Sequence, residues 1–412
     1  MGYDVLVVGA RVAGSSLALL LARRGHRVLV IDRDELPSDT LSTHFMNAMA
    51  VDQLAALGVL ADVEAAGFRR ITRTRTWVED CCFEGPAGPA GAYSLAPRRN
   101  VLDSVLIDHA VRAGAEFAQR TRAESLIQED GRVAGAVVRP LEGQPHEVRA
   151  TVVVGADGRG SRVAEWVGAE RYLEVPAMRP AYYGYYHGLE PLPEPALEMW
   201  FGGDQIGFVF PMRPGEDCIA LEIQPEQFDT FRSSPREAFE ERVRALPGLA
   251  RRLSGAELEG RLMGTRGIDN FFRRPYGPGW ALTGDAAYLK DPSTGTGVGD
   301  ALRQSALLAE ALDAVLGGAG WEETLSAFHR QRDAAMMPAY QATLAHTRLR
   351  DQAPEQVAWT RTVLCSPRLT RALAHALPGL LPSVLPPEAM AGLAGLARAF
   401  ATAAPEAAVE AR

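Results

Sequence analysis

Asp4-Val5-Leu6-Val7-Val8-Gly9-Ala10-Arg11-Val12-Ala13-Gly14 is the stretch that decides the fold. Asp4–Val8 is an apolar, largely β-branched run and reads as a buried strand. Gly9–Gly14 is a loop. Val12–Arg24 strings together good helix formers and stops at Gly25, a residue favoured just past a helix end. Arg27–Ile31 is a second apolar strand, ending at Asp32. Strand, loop, helix and strand make one βαβ unit. Such a unit binds a dinucleotide when its loop lets the backbone approach the pyrophosphate and aims a helix N-terminus at it. Gly9 and Gly14 hold the first and third glycine positions of that loop, and Arg11 stands at the second. Arg11 either turns outward or adds its guanidinium to the pyrophosphate. Asp32 is placed to accept hydrogen bonds from a ribose diol.

Two more glycine turns follow strand ends. Val152-Val153-Val154 leads into Gly155-Ala156-Asp157-Gly158, with Ser161 and Arg162 close behind. Trp280–Thr283 leads into Gly284-Asp285-Ala286-Ala287, then through Asp291-Pro292-Ser293-Thr294-Gly295-Thr296-Gly297 into a long helix from near Val298. Its Val298, Ala301, Leu302, Leu308, Ala309, Leu312 and Val315 keep the helical period, and Gly317-Gly318 ends it. A strand-end aspartate can bind a ribityl or ribose hydroxyl. A glycine-rich turn before a helix exposes N–H groups at the positive end of the dipole, where negative charge is stabilised. Any one of the three motifs also reads as a structural turn; all three in this order do not.

The order of the motifs resembles the class A flavoproteins, which include para-hydroxybenzoate hydroxylase-like monooxygenases, geranylgeranyl reductase-like enzymes and flavin-dependent halogenases. The likeness spans about residues 1–320. It implies an α/β fold: a Rossmann-like FAD-binding domain, an inserted, mainly antiparallel β-sheet substrate domain, and C-terminal helices. It implies one non-covalent FAD. Gly9, Arg11, Val12, Ala13 and Gly14 would lie at the pyrophosphate, and Asp32 and Arg33 would hold the adenosine end. Arg98, in Pro97-Arg98-Arg99-Asn100, matches a position that contacts FAD, and Asp157 lies near the nucleotide groove, where it can also steady a transient NADPH or NADH. Gly284 and Asp285 would meet the ribityl chain; Pro292, Gly295, Thr296, Gly297 and Val298 would face the isoalloxazine N1/O2 edge. The resemblance departs at Arg11. It also lacks the halogenase mark, a tryptophan pair before a proline, which Trp200-Phe201 and Phe210-Pro211 do not supply. Nor is the halogenase lysine after the first loop evident, so halogenation is not expected.

The resemblance implies a monooxygenase that hydroxylates or epoxidises a small, largely apolar, aromatic or polyene-like substrate with NAD(P)H and O2. The alternatives are a geranylgeranyl reductase-like double-bond reductase and a non-catalytic binding protein on the same fold. Met178–Gly264 is rich in extended aromatic pieces. Tyr183, Tyr185, His187, Trp200, Phe208 and Phe210 are candidate substrate-wall residues, although aromatic residues in strands also read as core. His44 follows a turn-prone segment and is the catalytic candidate, as a proton donor or substrate contact; the other reading is a structural histidine bonded to backbone. Lys290 and Asp291 adjoin the third motif, with Lys290 read as a solvated surface charge.

The expected FAD-binding domain is 1–72, 98–177 and 264–345, the substrate-binding domain 73–97 and 178–263, and the C-terminal helical region 346–412. Helices are expected at Ala48 to about Leu60, Asn100–Gly114 and Pro235–Leu246, a hairpin over Ile71–Tyr93 turning at Glu84–Pro89, and paired strands in Thr121–Val138 around Glu129-Asp130-Gly131. A chain of 412 residues is too long for one simple core. The net charge of −8 argues against a nucleic-acid partner, which wants a basic stripe. The four cysteines and the histidines show no zinc spacing, so no metal is expected. Adjacent Cys81 and Cys82 are either a redox pair or idle thiols in a reducing cytosol. Val5–Val8 ends in a glycine loop, unlike a signal peptide. No uncharged stretch reaches the roughly 20 residues of a transmembrane span. Ala376–Phe400 is apolar but interrupted by Pro378, Pro382, Pro386 and Pro387, and reads as short packed helices, with membrane-surface contact as the other reading. A cytoplasmic location follows; the oligomeric state does not.

Overall fold

The computed structural model describes residues 2–78, 81–88, 90–202 and 204–347, with single helical positions at 358 and 362. The expected C-terminal helices past Thr347, Cys365 included, otherwise lie outside the described residues. Tyr3–Val8, Val28–Ile31, His146–Gly155, Trp280–Leu282 and Glu116–Ala118 form the parallel heart of the first sheet. Val5 pairs with both Val28 and Val152, so two of the apolar runs flank a third. These strands are apolar on both sides because both faces are covered, as parallel sheets require. The helices Val12–Arg23, Arg99–Arg112 and Gly297–Leu316 cover one face. Leu6, Val8, Leu29 and Ile31 face the other, against Val133, Ala136, Trp280 and Leu282. The antiparallel strands Thr121–Glu129 and Arg132–Pro140 extend this layer, with Asp130 and Gly131 at positive φ in their turn.

The second sheet has seven strands and is mainly antiparallel, in the order Glu257–Thr265, Ala181–His187, Glu216–Ile223, Gln205–Pro211, Ala196–Gly202, Arg73–Val78 and Cys81–Pro86. One face packs on the short helices Phe228–Ser233, Pro235–Arg244 and Leu249–Arg252 through Tyr182, Tyr186, Trp200, Phe231 and Phe239. The other face joins the core of the first layer through Tyr183, Tyr185, Phe208 and Phe210.

Two local expectations are corrected. The hairpin reverses between Val78 and Cys81, and Glu84-Gly85-Pro86 belongs to the returning strand; that strand is the sheet edge, where proline is tolerated. The helix from Ala48 stops at Ala56 and a second runs Leu60–Ala65, because Gly58 between them takes φ +68°. The helix Arg99–Arg112 buries Leu102, Leu106, Ile107 and Ala110 together with Asp103, and the half-buried Val101 and Val105 pack against the same core.

Gly9 and Gly14 are fixed by contact. A Cβ on Gly14 would sit 1.8 Å from the Gly9 carbonyl oxygen. Gly14→Ala must therefore lift the first helix off its strand and should cost on the order of 3 kcal/mol, as overpacking does. Urea unfolding measures this, and an unchanged midpoint would refute so tight a contact.

Candidate cofactor and substrate site

The first loop is shaped from both ends. Gly9 has φ +107°, and a Cβ there would lie 2.4 Å from the Ala156 carbonyl oxygen, so the first and second motifs touch. Asp32 accepts from the Ala10 N–H at 2.8 Å and the Asp34 N–H at 2.9 Å. The helix then starts at Val12 with no side-chain cap on its N–H groups, and Val12 and Ala13 are buried. Arg11 is turned away onto Asp103 at 3.1 Å, Asp34 at 3.4 Å and the Ser38 carbonyl at 3.1 Å. Its charge is matched inside the protein. Arg33 is largely exposed, near Asp34 at 3.8 Å.

Asp157 spends its oxygens locally. It accepts from Ser161 Oγ at 2.5 Å and from the N–H groups of Arg162 and Val163 at 2.7 and 3.2 Å, holding the start of the short helix Arg162–Trp166. Burial pushes its carboxyl pKa up against those bonds.

The third motif rests on the first. A Cβ on Gly284, at φ +61°, would meet Ala13 Cβ at 2.7 Å, and Ser305 Oγ donates to the Ala13 carbonyl at 2.9 Å. Arg273 donates to the Ala286 carbonyl at 2.7 Å and the fully buried Arg332 to the Ala287 carbonyl at 3.0 Å, so two guanidiniums fix the turn that carries Asp285. Asp285 is itself exposed between buried neighbours. Protein surrounds it closely enough that desolvation raises its carboxyl pKa, with Arg99 and then Lys290 pulling the other way. Asp291 is buried and caps the Ser293 N–H at 3.0 Å at the turn Pro292–Thr294. Gly295, at φ +62°, packs against Phe45. The long helix starts at Gly297 after Thr296, again with no side-chain cap, and Gly297 is exposed with open space around it, with Val298 buried beside it. Lys290 is corrected: its side chain is 4 % exposed and paired with Asp300, not solvated.

The aromatic face of the second sheet packs into the same core as the first helix. Tyr183, Tyr185, Phe208 and Phe210 lie together with Met199 and Cys218. His44 lies against them, 5.5 Å from the Tyr183 ring and 5.4 Å from the Tyr185 ring, and Phe45 is 5.8 Å from Phe210. Two expected wall residues are corrected. Trp200 points to the opposite face, where its indole N–H donates to the Pro247 carbonyl at 3.1 Å, because neighbours along a strand alternate sides and Met199 takes the inner one. His187 is at the strand end, exposed and paired with Glu259 at 2.7 Å.

His44 is 1 % exposed and adopts φ +59°, a left-handed conformation uncommon outside glycine. Its Nε2 is 2.9 Å from Tyr185 Oη, and Nδ1 faces the Pro97 carbonyl without a well-formed hydrogen bond. Burial, aided by Arg99 and Arg98, lowers its pKa to about 3, so the imidazole is neutral. Tyr183 donates to the Thr40 carbonyl at 3.0 Å. Burial raises the pKa of both tyrosines, so each stays protonated. Arg98 lies over the Tyr185 ring at 3.7 Å and pairs with Glu216 at 3.1 Å and Glu259 at 3.0 Å. Its neighbour Arg99, which the sequence reading passed over, is the arginine felt at both Asp285 and His44. It is held by Asp103 at 3.1 Å, and Asp103 also takes Arg11. The available signal was Asp103 itself, a carboxylate beside Leu102 and Leu106 in a buried helical stripe.

Two uncapped helix starts, a reachable carboxylate and an arginine held in place make a donor set suited to FAD: N–H groups for the pyrophosphate and the pyrimidine edge, and Asp285 for a hydroxyl. Among the described residues, no group of three or more His, Cys, Asp or Glu side chains fits a metal ion.

Fold and site together define a class A flavoprotein. The chain matches the family described as FAD binding domain over residues 2–343 and belongs to it. It is 30% identical over 326 residues to digeranylgeranylglycerophospholipid reductase of Methanosarcina acetivorans, covering 75% of this chain and 74% of the relative. Among solved structures it resembles the flavin-dependent brominase Bmp2, with TM-score 0.77 and 21% identity over 96% of this chain and 93% of that one. It also resembles PqsL, a probable FAD-dependent monooxygenase from Pseudomonas aeruginosa, with TM-score 0.74 and 20% identity over 85% of this chain and 97% of that one.

The neutral His44 makes folding sensitive to acid. The unfolded chain takes up a proton at this residue below pH 6.5, and the folded chain does so only near pH 3. Its contribution to stability is present above pH 6.5 and is lost as pH falls towards 3. His44→Gln should regain about 2 kcal/mol relative to wild type between pH 7.5 and pH 5. Urea midpoints at the two pH values test it, and a constant difference would show that His44 takes up protons equally in the folded and unfolded chains.

Proposed function

We propose that the chain is an FAD-dependent monooxygenase that inserts oxygen into a small, largely apolar, aromatic or polyene-like substrate, using NADPH or NADH and O2. The observation that carries this reading is the buried wall of Tyr183, Tyr185, Phe208 and Phe210, closed by a neutral His44 bonded to Tyr185. On this reading the parts built on 1–72, 98–177 and 264–345 hold FAD, and those on 73–97 and 178–263 bind substrate. The location is the cytoplasm; no helix among the described residues is long and apolar enough to cross a membrane.

FAD, when bound, supplies the electron transfer and oxygen activation. The chain supplies the rest. The helix starts at Val12 and Gly297 would hold the pyrophosphate and the N1/O2 edge, Asp285 would hold a ribityl hydroxyl, and Arg99 would add positive charge. The aromatic face excludes water and orients a flat substrate. With Nδ1–H towards Pro97, His44 Nε2 accepts the Tyr185 proton. That fixes the lone pairs of Tyr185 Oη to accept from a substrate hydroxyl.

A second reading, reduction of isolated double bonds, draws support from the reductase relative at 30% identity. Oxygen separates the two. The purified protein should be yellow, bleach with NADPH or NADH, and form product only in air, with the new oxygen atom derived from labelled O2. Product formed anaerobically would select the reductase reading. A colourless protein that cannot be reconstituted with FAD would leave only a binding role. Asp285→Ala should weaken FAD binding about tenfold or more, the worth of a hydrogen bond to a charged group. Tyr185→Phe should lower kcat/KM by about tenfold with FAD content unchanged. Fluorescence titration of FAD and steady-state kinetics measure these.

A further inference from the structure

We infer that Lys290 and Asp300 form a buried charge pair that sets how strongly this site favours reduced flavin over oxidised flavin. The inference rests on the FAD reading above.

Lys290 lies between the strand Tyr288–Leu289 and Asp291, at the entrance to the third motif. Lysine stems normally carry the ammonium out to water, and an ammonium is buried at a cost unless paired. Here the side chain is 4 % exposed, and its Nζ meets Asp300 Oδ2. Asp300 is 14 % exposed and accepts also from Thr296 Oγ1 at 3.2 Å. It stands in the first turn of the helix Gly297–Leu316. A carboxylate there stabilises the helix but offsets the positive end that an anion would use. Lys290 cancels that offset.

Both charges reach the cofactor side of the motif. At Asp285 they act in opposite directions, Lys290 lowering the carboxyl pKa and Asp300 raising it, and Arg99 and Arg159 are the other charges felt there. Reduction of a bound flavin adds negative charge that charges near its N1 edge tune. Without Lys290, an unmatched carboxylate would stand beside that edge and disfavour the reduced form. Without Asp300, an unmatched ammonium would favour it.

The test compares wild type, Lys290→Met, Asp300→Asn and the double variant, each loaded with FAD. The readouts are the midpoint potential against redox dyes and the Kd of oxidised FAD. Lys290→Met should shift the preference away from reduced flavin by about tenfold, a fall of about 30 mV for a two-electron couple. Asp300→Asn should shift it the other way, and the double variant should return to within about threefold of wild type. Loss of packing alone would move Kd without this reversal of sign. If Lys290→Met does not fold, a raised potential in Asp300→Asn with a wild-type value in the double variant supports the pair, and any other pattern overturns it. Single variants that bind FAD and move together, or do not move, overturn the pair but leave the FAD reading standing. A wild-type protein that takes up no FAD overturns both.

Discussion

The contact on which the rest depends is the meeting of three backbone turns around the start of the first helix. Gly9 lies against the Ala156 carbonyl, Gly14 against the Gly9 carbonyl, and Gly284 against Ala13. None of these approaches leaves room for a side chain. The motifs begin at Gly9, Gly155 and Gly284, far apart in sequence, yet the second and third each meet the first through what a glycine lacks. Ser305 adds a bond to the Ala13 carbonyl, so the long helix is tied to the same point. The first helix and the long helix are thereby fixed relative to one another. A dinucleotide site on this scaffold is a consequence of backbone packing before any side chain touches a ligand.

The charged groups around that centre are arranged in matched sets. Asp103, fully buried, takes both Arg11 and Arg99. Lys290 meets Asp300, and Arg332 pairs with Asp333 at 2.7 Å while donating to the Ala287 and Arg273 carbonyls. Buried ions of this kind add little net stability, but they are costly to break. Their effect is to fix positions. Arg11 occupies a place where glycine would let backbone approach a phosphate, and Asp103 is what holds its side chain aside.

The parallel sheet was legible because Val5–Val8, Val28–Ile31 and Val152–Val154 are continuous apolar runs, and the turns after the first and third carry glycine where φ or contact demands it. The face of the second sheet was harder to read. Tyr182, Tyr183, Tyr185 and Tyr186 are all aromatic, so the strand has a period but no phase. Which tyrosines look inward is set by partners such as Cys218 and Ala220 on the next strand, and no local pattern carries that pairing. Trp200 was misplaced for the same reason. Lys290 was misread because a lysine reports its charge but not its partner, and Asp300 lies in a different element. Arg98 and Arg99 are adjacent, and only the helix that begins between them sends one to the sheet and the other to Asp103.

His44 joins these strands of the argument. As a residue type it suggests acid–base work near neutral pH. Enclosure by aromatic rings and proximity to Arg99 and Arg98 hold it neutral instead. Its left-handed backbone is costly for a side-chain-bearing residue, and the conformation turns its ring onto Tyr185. A histidine that stays uncharged in an apolar wall cannot serve as a standing acid. It can hold one tyrosine hydroxyl in place through the bond between Nε2 and Tyr185 Oη, without a change of charge near neutral pH. On the proposed reading, the wall therefore offers a substrate a neutral hydrogen-bonded pair rather than a titrating group.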